Sequence, residues 1–450
     1  MKSKSFDVLI VGAGPAGMFA AYELVTRSPK IKIALIEMGQ KIENRDRNNV
    51  MHGVGGAGTF SDGKLTLTAN LSHEKSFHLI SKSDYQDILD YVDKILTNFG
   101  VDSEYYPKNN QDAVDLIEDA QRNGIELVIR KARHVGTDKL ALVMKSFQDF
   151  LVEKRVEIIE DTEVKDLHFI KENLRGVITV KGEKILGEKV LLAPGRVKAN
   201  WLQEIASKYD IEYTYDKVEV GVRVEFPEFV MRKHEATLYE TVYKLNTPTY
   251  DDVVRTFCYC PRGMVSIEKY DGYVCVNGHS NADHASVNSN FAFLCEVALT
   301  EPVENTIAYA RSVAKLASTI GGGKPIIQRL ADLKKGRRST WHRIEKSIVS
   351  PSLRDVTPGD ISMALPHRVV TNIIEGLTCL NQVMPGIDSG STLLYAPEVK
   401  FRSSKIKTDG GLQTNIKNVF VAGDAAGLSG SITGAAVNGI MAAKGILGIN

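Results

Sequence analysis

Near its start the chain has an apolar run, Phe6-Asp7-Val8-Leu9-Ile10-Val11, interrupted only by Asp7. A run of this kind predicts a strand buried on both faces, as in a parallel sheet. The period then lengthens. Met18, Tyr22 and Val25 fall on one helical face, and Pro29 stands just past the end. Ile31 to Ile36 predicts a second buried strand, and similar runs recur at Lys189 to Ala193 and at Asn418 to Ala422. Between them, Ser83-Asp84-Tyr85-Gln86 reads as a capping box for a helix that lines up Ile88, Val92, Ile95, Leu96 and Phe99 and stops at Gly100. Further helices are predicted over 112–122, 139–152 and 201–209, strands over 125–130 and 156–159, and a small meander over 163–184.

From Val218 the pattern becomes strand-rich, with segments at 218–226, 255–260, 273–277 and 291–299. Alternating Phe291, Phe293, Cys295, Val297 and Leu299 predict one buried face. Helices at 304–320 and 367–380 follow, the first stopped by Gly321-Gly322-Gly323. The chain closes with a hairpin-like stretch at 408–414, the 418–422 strand and a helix over 435–447. The pattern as a whole predicts an α/β domain interrupted by an inserted antiparallel domain.

Composition narrows the reading. Of 450 residues, 43% are hydrophobic and 25% charged, the balance of a globular protein of two or three domains. A net charge of +1 gives no global attraction to nucleic acid or anionic membrane. No apolar run approaches the ~20 residues of a membrane helix. With no signal-like N-terminal run, a cytoplasmic location is the expectation. Segment 329–346 carries seven Lys or Arg against two acids, a solvated face rather than an anion site. Five cysteines at irregular spacing argue against a disulfide framework, zinc or iron–sulfur, and no metal is expected. Cys258 and Cys260 form the one close pair. As alternate strand residues they would face one side of a sheet, and buried structural cysteines are the expectation, with a redox role as the alternative.

The candidate chemistry sits where the first strand ends. Gly12-Ala13-Gly14-Pro15-Ala16-Gly17 joins strand to helix, and Glu37 stands at the tip of the second strand, twenty residues past Gly17. This is a dinucleotide-binding βαβ unit. Gly12 permits the turn, Gly14 lets backbone approach a pyrophosphate, Gly17 lets helix pack on strand, and Glu37 can accept from the adenosine ribose. The helix N-terminus favours the phosphate charge. A second glycine-rich stretch, His52 to Leu65, contains Gly53, Gly55 and Gly58 in the same spacing. No apolar strand precedes it, so it is read as a loop that brings backbone N–H groups to a flat or anionic group.

At Val419 to Asp424 the sequence resembles the second fingerprint of FAD proteins with the glutathione-reductase-like fold, in which an apolar strand ends in Gly-Asp. The resemblance implies that Asp424 binds the ribityl chain, with Gly423 before it. Leu192-Ala193-Pro194-Gly195 resembles that group's third marker, from which Pro194 departs. Within the group, the chain is similar to a family of FAD-dependent dehydrogenases. The similarity is carried by Gly55 to Leu65, Arg133 to Asp138, Phe257-Cys258-Tyr259-Cys260-Pro261 and Ala396-Pro397-Glu398. It implies an FAD-binding domain at 1–212 and 391–450, interrupted by a substrate domain at 213–390. It also implies kinship with flavoproteins that reduce carbon–carbon double bonds.

The expected cofactor set is Gly12, Gly14, Pro15, Ala16, Gly17, Glu37, Met38, Gly55, Gly56, Ala57, Gly58, Thr59, Val164, Ala193, Pro194, Gly195, Gly423, Asp424, Gly434 and Ala435. Gly55 to Thr59 and Gly434 are expected to border the ring. Ser61, Asp62, Lys64, Arg133 and His134 are weak catalytic candidates. The function read from this is an FAD-dependent oxidoreductase passing a hydride between flavin and a small-molecule substrate. No second Rossmann unit is apparent, so NAD(P)H, if it is the donor, visits the substrate face transiently. A flavin-dependent monooxygenase and a non-catalytic carrier or sensor are the alternatives. A flavin-dependent RNA modifier fits the near-neutral charge poorly.

Overall fold

In a computed structural model of the protein, residues 5–45, 50–60, 63–70, 73–215, 217–238, 240–270, 272–279, 286–297, 299, 305–400 and 404–449 are described, without the side chains of 137 and 138. The chain divides into two compact units. The first comprises Met1–Tyr105, Lys131–Asp216 and Ser403–Asn450, the second Tyr106–Arg130 and Lys217–Arg402. Against the sequence division at 213 and 391, the insertion runs on to 402, because strand Leu393–Lys400 is hydrogen-bonded within the antiparallel sheet. Residues 106–130 belong to the second unit for the same reason, since Glu126–Val128 pairs with Val242–Asn246.

The first unit is organised by Ser5–Val11. Ile33–Ile36 and Lys184–Leu192 flank it in parallel register; Glu157–Ile159 extends the first edge and Val419–Val421 the second. Every residue of Ile33–Ile36 and of Val419–Val421 is buried, as a parallel sheet covered on both faces requires. The meander Val164–Ile170 and Asn173–Thr179 attaches antiparallel to the first part of Lys184–Leu192. Helices Pro15–Arg27 and Ile432–Leu447 cross so closely that a Cβ on Gly439 would lie 2.2 Å from the Ala16 carbonyl oxygen. Aromatic packing ties in helix Thr137–Glu153: Phe147 meets Phe19 edge-on at 4.9 Å and stacks on Phe99 at 4.5 Å.

Two local expectations shift. Helix Lys82–Asn98 is capped by Ser81, whose hydroxyl accepts from the Asp84 N–H, not by Ser83. Gln86 instead accepts from the Ala69 N–H and donates to the Leu67 carbonyl. The 408–414 stretch is a turn held by Asp409, whose carboxylate accepts from the Gly411 and Gln413 N–H groups.

The second unit is an eight-stranded sheet in the order Thr357–Pro358, Ile326–Arg329, Leu393–Lys400, Val218–Pro227, Asn288–Val297, Val253–Cys260, Val242–Asn246, Glu126–Val128. Helices Asn110–Arg122, Thr306–Ile320 and His367–Leu380 supply core residues on one side. A hairpin, Met264–Tyr270 with Tyr273–His279, places Val265 and Val276 in a second core. The alternation in Phe291, Phe293 and Cys295 is real, yet Ala292 and Leu294 are buried as well, because both faces are covered. In the basic stretch, Arg337 pairs with Asp332 and Lys334 with Asp388.

Candidate functional site

The site is a cleft in the first unit, at the carboxyl ends of its parallel strands, where doubly wound sheets bind ligands. Of the expected cofactor residues, Gly12, Gly14, Pro15, Ala16, Glu37, Met38, Gly56, Ala57, Gly58, Val164, Ala193, Pro194, Gly195, Gly423, Asp424 and Ala435 line it.

Gly12 and Gly14 do different work. Gly12 has φ +103, and a Cβ there would lie 2.2 Å from the Ala193 carbonyl oxygen, so it is a packing glycine. A Cβ on Gly14 would meet only the Gly56 Cα, at 3.7 Å; the open side of Gly14 is the cleft. Gly14 is also the N-cap of Pro15–Arg27, makes no side-chain cap, and precedes a proline with no N–H. The first-turn N–H groups are therefore left to a ligand.

Glu37 is buried, and its carboxylate accepts three backbone N–H bonds: from Ala13 at 2.8 Å, Gly39 at 3.0 Å and Gly53 at 2.9 Å. It fastens the first turn to the glycine-rich loop while keeping acceptor capacity. Arg45 holds that loop from its other side. Its guanidinium donates to the Val54 carbonyl at 2.8 Å and the Gly56 carbonyl at 2.9 Å and lies 4.7 Å from the Phe60 ring centre. The loop is thus a braced wall, and Gly55 N–H donates to the Ala13 carbonyl at 2.8 Å.

Across the cleft, Asp424 follows Gly423 at the end of Val419–Val421. One carboxylate oxygen pairs with the Arg196 Nε at 3.1 Å; the other, Oδ1, is buried without a partner. An orphaned buried acceptor beside a cleft calls for a donor such as a ligand hydroxyl. Ser431 caps helix Ile432–Leu447 by accepting from the Gly434 N–H at 3.0 Å, and Ser431 and Ile432 line the cleft with Ala435.

Four expected residues stand behind the wall. Gly17 packs on the first turn, where a Cβ would meet the Gly12 carbonyl oxygen at 2.0 Å. Gly55 and Thr59 support the loop; Thr59 is buried, with its hydroxyl beside Gly55. Gly434 is hemmed in by Ser429, Ser431 and His73.

Among the catalytic candidates, Ser61 and Asp62 lie outside the described residues, and Lys64, Arg133 and His134 do not line the cleft. Arg133 has a structural part. Its guanidinium donates to Asp93, Thr97 and the Ser103 and Val101 carbonyls, and it is buried. Lining residues not anticipated include His52, Thr162, Arg196, Lys198 and Trp201. Only Arg196 and Lys198 carried a signal, as cations just after a strand that ends in Pro-Gly.

Comparison with known proteins gives the class. Residues 217–401 match the family described as FAD-dependent protein, C-terminal domain-like. With the dinucleotide cradle of the first unit, this match gives FAD as the cofactor. It is similar to an uncharacterized protein of Clostridium beijerinckii, 26% identical, over 98% of this chain and 80% of that one. Two solved structures resemble it more distantly. Pyridoxine 4-oxidase from Mesorbium loti is 12% identical, over 97% of this chain and 98% of that one, with a TM-score of 0.46. Glycine oxidase from Geobacillus kaustophilus is 13% identical, over 100% and 96%, with a TM-score of 0.42. Among the described residues, no helix is long and apolar enough to cross a membrane.

Proposed function

We propose that this protein is an FAD-dependent oxidoreductase that moves a hydride between a small organic substrate and the flavin. The observation that carries the reading is the pairing of a bare Gly14 with the orphaned Asp424 Oδ1 across one cleft. When bound, FAD supplies the redox chemistry, and the chain supplies placement. The first turn of Pro15–Arg27 takes the pyrophosphate, Glu37 accepts from the adenosine ribose, and Asp424 accepts from the ribityl hydroxyls while Arg196 steadies it. The N-terminus of Ile432–Leu447 puts the positive end of a helix dipole at the cleft, where it favours negative charge on a ligand. A nicotinamide coenzyme serves, if at all, as a transient donor.

The test has two stages. Purified protein should release about one FAD per chain on denaturation; release of FMN, or failure to take up FAD, overturns the cofactor reading. Photoreduced protein is then mixed anaerobically with panels of enones, imines and quinones. Reoxidation by one class at a saturable rate supports hydride transfer. If none of these reoxidises it, oxygen is admitted in a separate run: reoxidation with substrate hydroxylation supports a monooxygenase, and no turnover with any acceptor supports a carrier.

A further inference from the structure

The two family-like motifs of the second unit converge on one buried arginine. Arg223, fully buried in Val218–Pro227, reaches over the neighbouring strands. Its Nε donates to Asn290 Oδ1 at 2.7 Å, and its Nη1 to Glu398 Oε1 at 3.3 Å. Its Nη2 donates to the Cys258 carbonyl at 2.8 Å and to Cys260 Sγ at 3.0 Å. Cys258 and Cys260 belong to one motif and Glu398 to the other.

Both motifs are bulges. From Phe257 to Cys260 the partner strand advances only from Ala292 to Asn290, so one extra residue is inserted. Cys258 occupies the bulge with φ +50, a conformation an L side chain adopts rarely and keeps only when its surroundings impose it. A second register shift lies where Gly221 pairs with Glu398 and Arg223 with Tyr395. The two cysteines are thus not plain alternates on a flat strand.

The surroundings are charged and partly open, with the cations Arg223 and Lys400 set against the carboxylates of Glu398 and Glu268. Lys400 joins Arg223 on Glu398 Oε1, at 2.9 Å, and both cations bear on Cys258, whose carbonyl accepts from Arg223 Nη2. Cys258 is half-buried, whereas Cys260 is 6% exposed and its thiol donates to the Cys258 carbonyl. Asn290 Nδ2 and Glu398 Oε2 are a buried donor and a buried acceptor without partners, both on residues that hold Arg223. A partly exposed thiol beside fixed cations is the setting of a reactive cysteine.

We propose that Cys258 and Cys260 are a site of reversible oxidation by hydrogen peroxide, Cys258 as the thiol that attacks peroxide and Cys260 as the resolving one. The Cys258 thiolate attacks one peroxide oxygen. The S–O bond forms, the O–O bond breaks and hydroxide leaves, so sulfur is oxidised by two electrons and peroxide reduced. Cys260 sulfur then attacks the sulfenic sulfur. The S–S bond forms and the oxygen departs as water with the Cys260 proton. An external dithiol reverses the oxidation.

The experiment uses the full-length holoprotein and peptide mapping. Iodoacetamide at neutral pH should label Cys258 on the order of tenfold faster than Cys379, the other half-buried cysteine, whose thiol is pushed up by burial and by Glu375. Hydrogen peroxide should join 258 to 260 in a disulfide that dithiothreitol reopens. Cys260→Ser should stop at a dimedone-reactive Cys258. Lys400→Gln should slow the labelling of Cys258 several-fold, and Lys400→Arg, which keeps the charge, should restore it. Labelling of Cys258 no faster than Cys379, or peroxide leaving both thiols intact, overturns the proposal.

Discussion

At the residue scale, the glycines of the first turn separate folding from binding. Gly14→Val should leave apoprotein folded and abolish nearly all FAD uptake, since the new side chain points into the cleft. Gly12→Ala should instead lower stability, because its Cβ would press on the Ala193 carbonyl and it stands at positive φ. Melting of both apoproteins beside an FAD titration checks the contrast; equal loss of stability in the two contradicts it. Glu37 joins the roles. Charged hydrogen bonds are worth about 1.5–3 kcal/mol. Glu37→Ala should therefore weaken FAD binding by roughly ten- to hundredfold and also lower the apoprotein Tm. An unchanged apoprotein Tm would show that its bonds to Ala13, Gly39 and Gly53 hold nothing. Gly14 and Glu37 were legible because their spacing within one βαβ unit is local, and Asp424 because Val419 to Asp424 resembles an FAD fingerprint. Arg45 and Trp201 were not, since nothing near them in the sequence says what they will touch.

His234 gives a pH signature at the same scale. It is 4% exposed, its Nδ1 has no hydrogen-bond partner, and burial pushes its pKa down to about 4 from 6.5. The unfolded chain then binds the proton more readily than the folded one. The neutral histidine contributes no such penalty above pH 6.5, and stability falls as pH drops from there toward 4. The loss reaches roughly 3 kcal/mol at the low end. Melting from pH 7 to pH 4 should show wild type losing more than His234→Gln; parallel curves would contradict it.

At the element scale, the last helix shows what a sequence pattern conceals. The small residues around Gly434 were expected to meet the ring. In the fold Gly434 is boxed in by Ser429, Ser431 and His73, and its N–H is taken by the Ser431 hydroxyl. Gly434→Asp is therefore a poor probe of the cleft, since it disturbs packing first. Ser431→Ala is the sharper change. Removing an N-cap hydroxyl costs about 1 kcal/mol. The apoprotein should lose that much in urea unfolding, and the flavin potential should shift, since the cap lies at the cleft. An unchanged potential at full FAD occupancy would place this helix end away from the ring. The strand runs at 5–11, 33–36 and 419–421 were readable because burial on both faces leaves little but apolar residues. The bulges at Cys258 and at Ala396-Pro397 were not, because a bulge is a relation between two strands.

At the scale of the whole molecule, the insertion is discontinuous, which the hydrophobic pattern alone did not reveal. Residues 106–130 read as an ordinary helix and strand, and the sequence division put them in the first unit, within 1–212. Their partners decide the matter. Ala113, Leu116, Ala120, Ile125 and Leu127 are buried in the core of the second unit, and Glu126–Val128 forms the edge of its eight-stranded sheet. Arg130 and Glu240 form a buried ion pair at 2.6 Å, so removing either partner strands a charge. A fragment covering 217–402 alone should therefore expose an apolar face and an open strand edge, and should aggregate or bind a hydrophobic dye. Adding a peptide of residues 106–130 should restore a cooperative melt and suppress dye binding, with an Arg130→Met peptide weaker than the native one. A 217–402 fragment that melts cooperatively alone, indifferent to the peptide, would show that the N-terminal segment only decorates a unit complete without it.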